Sequence, residues 1–144
     1  MERIINRYQS GGLKNRCITN NLAITRNIIN NIAPNHAGAI LALDFEKAYD
    51  KIDRKNIYQI MERLKLPKTF IENVKTLYDN SSFCIKINGT LSRKVNIERG
   101  IKQGCPLAMY LYILYIEPLH RKIQNCIQGI RIGSAIIKTN KLCR

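Results

Sequence analysis

The chain has 144 residues, with 24 lysines and arginines against 10 aspartates and glutamates and a formal net charge of +14. Apolar residues make up 45% of it, enough to bury a core and to exclude a wholly disordered chain. The longest uncharged apolar run, Gly104 to Ile116, is shorter than the roughly 20 residues of a spanning helix. Met1-Glu2-Arg3 opens no signal peptide, so we expect an intracellular protein without membrane contact.

Cys17, Cys84, Cys105, Cys126 and Cys143 are odd in number, widely spaced and without a Cys-x-x-Cys pair. We therefore expect neither a disulfide framework nor a zinc site, and free thiols fit a reducing compartment, nucleus or cytoplasm. A surface this positive repels itself unless an anion shares it, and phosphate backbones are the commonest such partner. The alternative is that dispersed lysines serve solubility alone.

No internal repeat or low-complexity tract interrupts the chain. Ile18, Leu22, Ile29 and Ile32 fall near one helical face, which predicts a helix over 18–33 ended by Pro34, then a turn at 34–38. Ala39 to Leu43 is a short continuous apolar run after Gly38, which predicts a strand buried on both faces, with Asp44 at its end.

Ile57, Ile60, Met61 and Leu64 recur at helical spacing, with Asp53 placed to cap the helix and Pro67 to close it. A further helix follows with Phe70, Ile71, Val74, Leu77 and Tyr78 inward. Phe83, Ile85 and Ile87 then alternate with polar neighbours up to Asn88-Gly89, and Leu91, Arg93 and Val95 lead back, which predicts a hairpin. Residues 100–106 read as a loop carrying Gln103, 107–127 as a long apolar helix, and 129–137 as a strand pair. Helices and strands mix without a βαβ rhythm, so the expected class is α+β, an antiparallel sheet packed by helices.

Three of only four aspartates, Asp44, Asp50 and Asp53, fall within ten residues of a chain otherwise poor in acid. A strand-end carboxylate can hold Mg²⁺ with one or two oxygens while the ion keeps waters and takes phosphate oxygens from a substrate. Two-ion phosphoryl transfer needs at least one more acidic ligand nearby. Asp50 and Asp53 are explained as turn and cap residues, Glu46 and Lys47 as a solvated pair, and His36 and His120 stand in no ligand pattern.

Leu43-Asp44-Phe45-Glu46-Lys47-Ala48-Tyr49-Asp50 resembles the first catalytic motif of reverse transcriptases of the non-LTR, LINE-like retrotransposon class. Arg99-Gly100-Ile101-Lys102-Gln103-Gly104-Cys105-Pro106-Leu107, with Tyr115-Ile116-Glu117-Pro118-Leu119 after it, is similar to that family's Gly-x-x-Gln-Gly-x-Pro-Leu motif and its following helix. Gln9-Ser10-Gly11-Gly12-Leu13-Lys14-Asn15-Arg16 resembles the Gln-x-Gly-Phe-x-x-x-Arg region of the fingers. The three blocks stand in family order and cover most of residues 8–137.

The resemblance implies a single partial polymerase domain, residues 1–38 fingers-like and 39–144 palm-like. It implies RNA template, DNA primer and deoxynucleoside triphosphates as partners, and Mg²⁺ as cofactor. Asp44 would be the catalytic, metal-binding carboxylate, and the backbone carbonyl of Phe45 would complete the same shell. Lys47 and Ala48 would offer amides to the triphosphate. Tyr49 would press on the sugar and disfavour a 2′-hydroxyl, or be a core residue. Gln103 and Gly104 would lie under nucleotide and template base, and Arg16 would meet template or triphosphate, or be a surface cation. Tyr110, Tyr112 and Tyr115 are core residues of the long helix or surfaces for base stacking.

Gly12 stands where the family has Phe, and Ala108-Met109 where it has Ser-Pro. The family's second acidic motif, aromatic-x-Asp-Asp, has no counterpart, because no Asp-Asp pair occurs between Met1 and Arg144. We therefore expect a reverse transcriptase portion that stops short of that motif and is inactive by itself. The alternatives are a basic nucleic-acid-binding module without catalysis and an unselected retroelement remnant.

Overall fold

The computed structural model describes residues 4–6, 8–32, 39–132 and 135–138. The expected turn at 34–38, with Pro34 and His36, lies outside the described residues. The chain divides into two compact units, residues 1–44 with 116–144, and residues 45–115.

In the first unit, helix α1 spans Ile18–Asn31, close to the predicted bounds, but another face is inward. Ile18, Leu22 and Ile29 are 39%, 52% and 59% exposed, whereas Asn21 and Ile28 are buried. The two stripes differ by about a quarter turn at 100° per residue. What decides between them is hydrogen bonding: the Asn21 amide donates to the Tyr8 carbonyl at 2.9 Å and to Ser10 Oγ at 2.8 Å. Burying that amide is tolerable because it is satisfied.

Residues 39–43 form no strand, and Ile40, Leu41 and Leu43 are 53%, 79% and 62% exposed. The expectation of a buried strand is corrected here. A strand buried on both faces needs neighbours to take its amides and carbonyls, and among the described residues no ladder includes this segment.

The second unit begins with helix α2, Arg54–Arg63, whose N-cap Asp53 accepts from the Lys55 amide at 2.8 Å, as predicted. Its C-terminus closes with Lys65 at φ +54°, the Leu66 amide donating to the Met61 carbonyl and the Lys65 amide to that of Glu62. This is a Schellman closure with lysine where glycine is usual. Pro67 is the N-cap of helix α3, Lys68–Tyr78. Ile57, Met61, Ile71, Val74 and Tyr78 are buried, and α2 packs on α3. Phe70 and Leu77, expected inward, stay exposed.

Strands β1 (Ser82–Phe83), β2 (Lys86–Ile87), β3 (Thr90–Leu91) and β4 (Val95–Asn96) form the predicted hairpin. Ile87 pairs with Thr90, so Asn88-Gly89 is a two-residue turn, with both φ values positive at 48° and 84°, the primed geometry that suits strand twist. Phe83 pairs with Val95 and Lys86 with Leu91, which leaves one more residue on the returning side and bulges it near Arg93-Lys94. The expected apolar alternation is present, but Phe83, Ile85, Ile87, Leu91 and Val95 are exposed.

Helix α4 runs Ala108–Cys126 with Pro118 inside it. Strands β5 (Ile130–Ile132) and β6 (Ala135–Ile137) are the predicted pair. The architecture is α+β, but the described strands make three separate two-stranded antiparallel ladders in place of one sheet. No described helix is long and apolar enough to cross a membrane.

Candidate functional site

The turn that follows Asp44 is built around Lys47, whose φ of +50° is unusual for a side chain with Cβ. Its carbonyl accepts from the amides of Asp50 at 3.0 Å and Lys51 at 3.1 Å. Glu46 pairs with Lys51 at 2.6 Å across the exposed outside of the turn, so the expected partner Lys47 is not the one Glu46 takes. Phe45 and Lys47 are exposed, Ala48 and Tyr49 half-buried. The Tyr49 ring lies against that of Tyr112 on α4, centroids 5.3 Å apart and planes at 38°, an offset aromatic pair.

The Gly100–Gly104 loop is fastened to this turn by backbone alone. The Gly100 amide donates to the Ile52 carbonyl at 2.8 Å and the Ile101 amide to the Tyr49 carbonyl at 3.0 Å. Gly100 has φ +84°, and a Cβ there would sit 2.9 Å from the Asp50 carbonyl oxygen and 3.1 Å from that of Tyr49. Only glycine allows both the backbone conformation and the approach. Gly104 also has positive φ, at 80°, but a Cβ there would meet open space. Gln103 and Gly104 are exposed. Two motifs separated by some fifty residues are thus joined by backbone hydrogen bonds in the second unit, with Gln103 two residues beyond the Ile101 amide that meets the Tyr49 carbonyl.

The residue that sequence reasoning missed is Arg54. It is buried at 7% exposure, and its Nε donates to the Gly100 carbonyl at 2.8 Å. Its Nη1 donates to the carbonyls of Tyr78 at 2.6 Å and Ile97 at 2.9 Å, with a 3.5 Å contact from Nη2 to that of Arg99. Its guanidinium carbon stands 5.8 Å from the Tyr78 ring centroid. These peptide dipoles solvate the cation, and Tyr78 ends α3, where carbonyls carry the negative end of the helix dipole. A signal was available: Arg54 precedes Ile57 by three residues and Met61 by seven, which puts a charge on the apolar stripe.

Cys105 joins the loop to α4, the Ala108 amide donating to its carbonyl at 2.9 Å. Burial pushes its thiol up, but the Tyr78 hydroxyl, the amides of Leu107 and Ala108 and the Lys102 ammonium favour the thiolate more, and the net direction is downward. The Tyr78 hydroxyl is buried without a well-formed hydrogen bond. Burial, followed by the Cys105 sulfur, pushes its own phenol up.

Asp44 and Arg16 belong to the first unit. Asp44 is exposed. Arg16 Nη1 donates to the carbonyls of Asn6 at 2.6 Å and Gln9 at 2.7 Å, so it shapes the 6–16 segment. Also unforeseen is the buried Glu117, which accepts from the Asn6 amide at 3.2 Å and from Arg121 Nε at 3.0 Å. Among the described residues no three His, Cys, Asp or Glu side chains gather as a metal site.

Comparison with known proteins agrees with the motif blocks. The family model for "Reverse transcriptase (RNA-dependent DNA polymerase)" matches residues 3–140. The uncharacterized 149 kDa protein of transposon TX1 from Xenopus laevis is 29% identical over 131 residues, 90% of this chain and 10% of that protein. The Pol polyprotein of type-2 retrotransposable element R2DM from Drosophila melanogaster is 32% identical over 97 residues, 67% of this chain and 9% of that polyprotein. That of the type-1 element R2 from Nasonia vitripennis is 29% identical over 84 residues, 58% and 8% of the respective chains. The chain spans about a tenth of the length of these relatives. It belongs to the reverse transcriptase (RNA-dependent DNA polymerase) family, among relatives from non-LTR retrotransposons.

Proposed function

We propose that these 144 residues are the nucleotide- and template-binding part of an RNA-directed DNA polymerase, palm-like around Tyr49 and Gln103 and fingers-like toward the N-terminus. The observation that carries this reading is the backbone fastening of Gly100 and Ile101 to Ile52 and Tyr49. It joins the base of the loop that carries the exposed Gln103 to the backbone of Tyr49, whose ring is braced by Tyr112, and this supports reading the two as contacts for base and sugar. The Lys47 and Ala48 amides take the triphosphate.

Reverse transcriptases generally work with a divalent ion. Here Asp44 and the Phe45 carbonyl can hold one Mg²⁺ that keeps most of its waters. The described residues do not fit a two-ion centre, because that clamp needs further carboxylates and none gathers there. No bond-making step is assigned to these residues, and the isolated chain is expected to bind without polymerising.

The test is primer extension on an RNA template with Mg²⁺ or Mn²⁺, alongside binding of a labelled deoxynucleoside triphosphate. No extension, and nucleotide binding weakened by Tyr49→Ala and by Gln103→Ala, supports the reading. Extension abolished by Asp44→Asn refutes the expected inactivity. A second reading, a basic nucleic-acid-binding module, is favoured by the +14 charge; it predicts nucleic-acid binding that falls steeply as salt rises and is indifferent to Asp44→Asn.

A further inference from the structure

We propose that Arg54 is the positioning residue of the Gln103 loop, fixing the spacing between Gln103 and the Tyr49 ring by gathering the carbonyls of Tyr78, Ile97 and Gly100 around one buried guanidinium. The inference rests on the reading of Tyr49 and Gln103 as nucleotide contacts.

The three carbonyls come from different places: the last turn of α3, the exit of the β1–β4 hairpin, and the start of the loop. Two lie at positions 97 and 100, where the chain leaves regular structure. Beyond Gly100, the loop is held to the turn by the Ile101 amide on Tyr49 and to the end of α3 by Lys102 Nζ on the Leu77 carbonyl at 3.2 Å. The guanidinium therefore fixes the base from which the loop springs. Its planar fork of five donors reaches several acceptors at once, whereas a lysine ammonium is a compact point charge on a flexible stem.

A merely structural role is distinguishable. The apolar pairing of α2 with α3 uses Ile57, Met61, Ile71 and Val74, all buried, contacts that remain when the one Arg54 bond to the Tyr78 carbonyl of α3 is lost. Removing the guanidinium leaves the buried Gly100 carbonyl and the part-buried Ile97 carbonyl without this donor, so that segment opens first.

The experiment uses the full chain, comparing wild type with Arg54→Met and Arg54→Lys. It reads hydrogen exchange at the Gly100 and Ile101 amides, with Val74 and Leu114 as references, together with binding of a labelled deoxynucleoside triphosphate. We expect Gly100 and Ile101 to lose at least tenfold in protection in both variants, with the references within about twofold, and nucleotide affinity to fall with them. Unchanged protection at Gly100 and Ile101, or an equal loss at all four amides, overturns the proposal. So does unaltered nucleotide affinity in a variant whose loop has opened. If Arg54→Met does not fold, Arg54→Lys decides by the same criteria. If wild type binds no nucleotide while the loop opens selectively, the nucleotide reading fails and Arg54 stands as the loop's anchor.

Discussion

Replacing Gly100 with alanine tests the contact on which the site depends. A residue with Cβ at φ +84° costs about 1–2 kcal/mol for the left-handed backbone. The new methyl would stand 2.9 Å from the Asp50 carbonyl oxygen, 3.1 Å from the Asp50 Cα and 3.1 Å from the Tyr49 carbonyl oxygen. All three are backbone atoms that cannot swing aside, so overpacking adds about 1–3 kcal/mol. The total is about 2–5 kcal/mol, a lowering of the thermal midpoint by roughly 2–4 °C per kcal/mol in a domain of this size. Gly104→Ala is the internal control, since its φ is also positive but a Cβ there meets nothing within 4 Å. It should cost the backbone share alone. Urea unfolding of both variants measures the difference, and Gly100→Ala should be the more destabilising of the two. Equal destabilisation by the two substitutions would refute the close approach of the loop to the Tyr49-Asp50 turn.

Lys65→Gly should stabilise the chain by about 0.5–1 kcal/mol, because relief of the left-handed lysine outweighs the added freedom of glycine in the unfolded chain; a thermal melt reads it. Stability should fall as pH rises above about 10, the ordinary tyrosine value. Burial, then the Asp79 carboxylate, raises Tyr58, and burial, then Cys105, raises Tyr78. A phenol raised in the fold stabilises fully below its unfolded value and loses that contribution as it ionises. Tyr58→Phe and Tyr78→Phe should each flatten the alkaline limb of stability against pH. Binding to an RNA duplex should weaken steeply between about 50 and 200 mM salt through counterion release, and a flat salt response would count against phosphate contacts.

Local signals were legible where they are settled locally. The Asp53 cap, the Asn88-Gly89 turn and the α2 stripe each depend on residues within one turn or hairpin, and each is present as expected. The 39–43 run departs from the expected strand because apolar character reports willingness to be covered, and coverage depends on strands elsewhere. In α1 the apolar stripe lost to Asn21, whose value inside depends on acceptors at Tyr8 and Ser10 that no periodicity displays. The motif lettering singles out the segments around Tyr49 and Gln103, and the structure adds the Gly100 and Ile101 amides that join those segments through Ile52 and Tyr49. Arg54 went unseen for a related reason: its acceptors are carbonyls, which every sequence position possesses and none advertises.

That choice of acceptor also sets how the loop responds to its surroundings. An arginine tethered by a carboxylate is released when acid neutralises that carboxylate, whereas peptide oxygens do not titrate. The seat of the glutamine loop is consequently insulated from acidification, and it loosens only when hairpin exit, helix end and loop base part from one another.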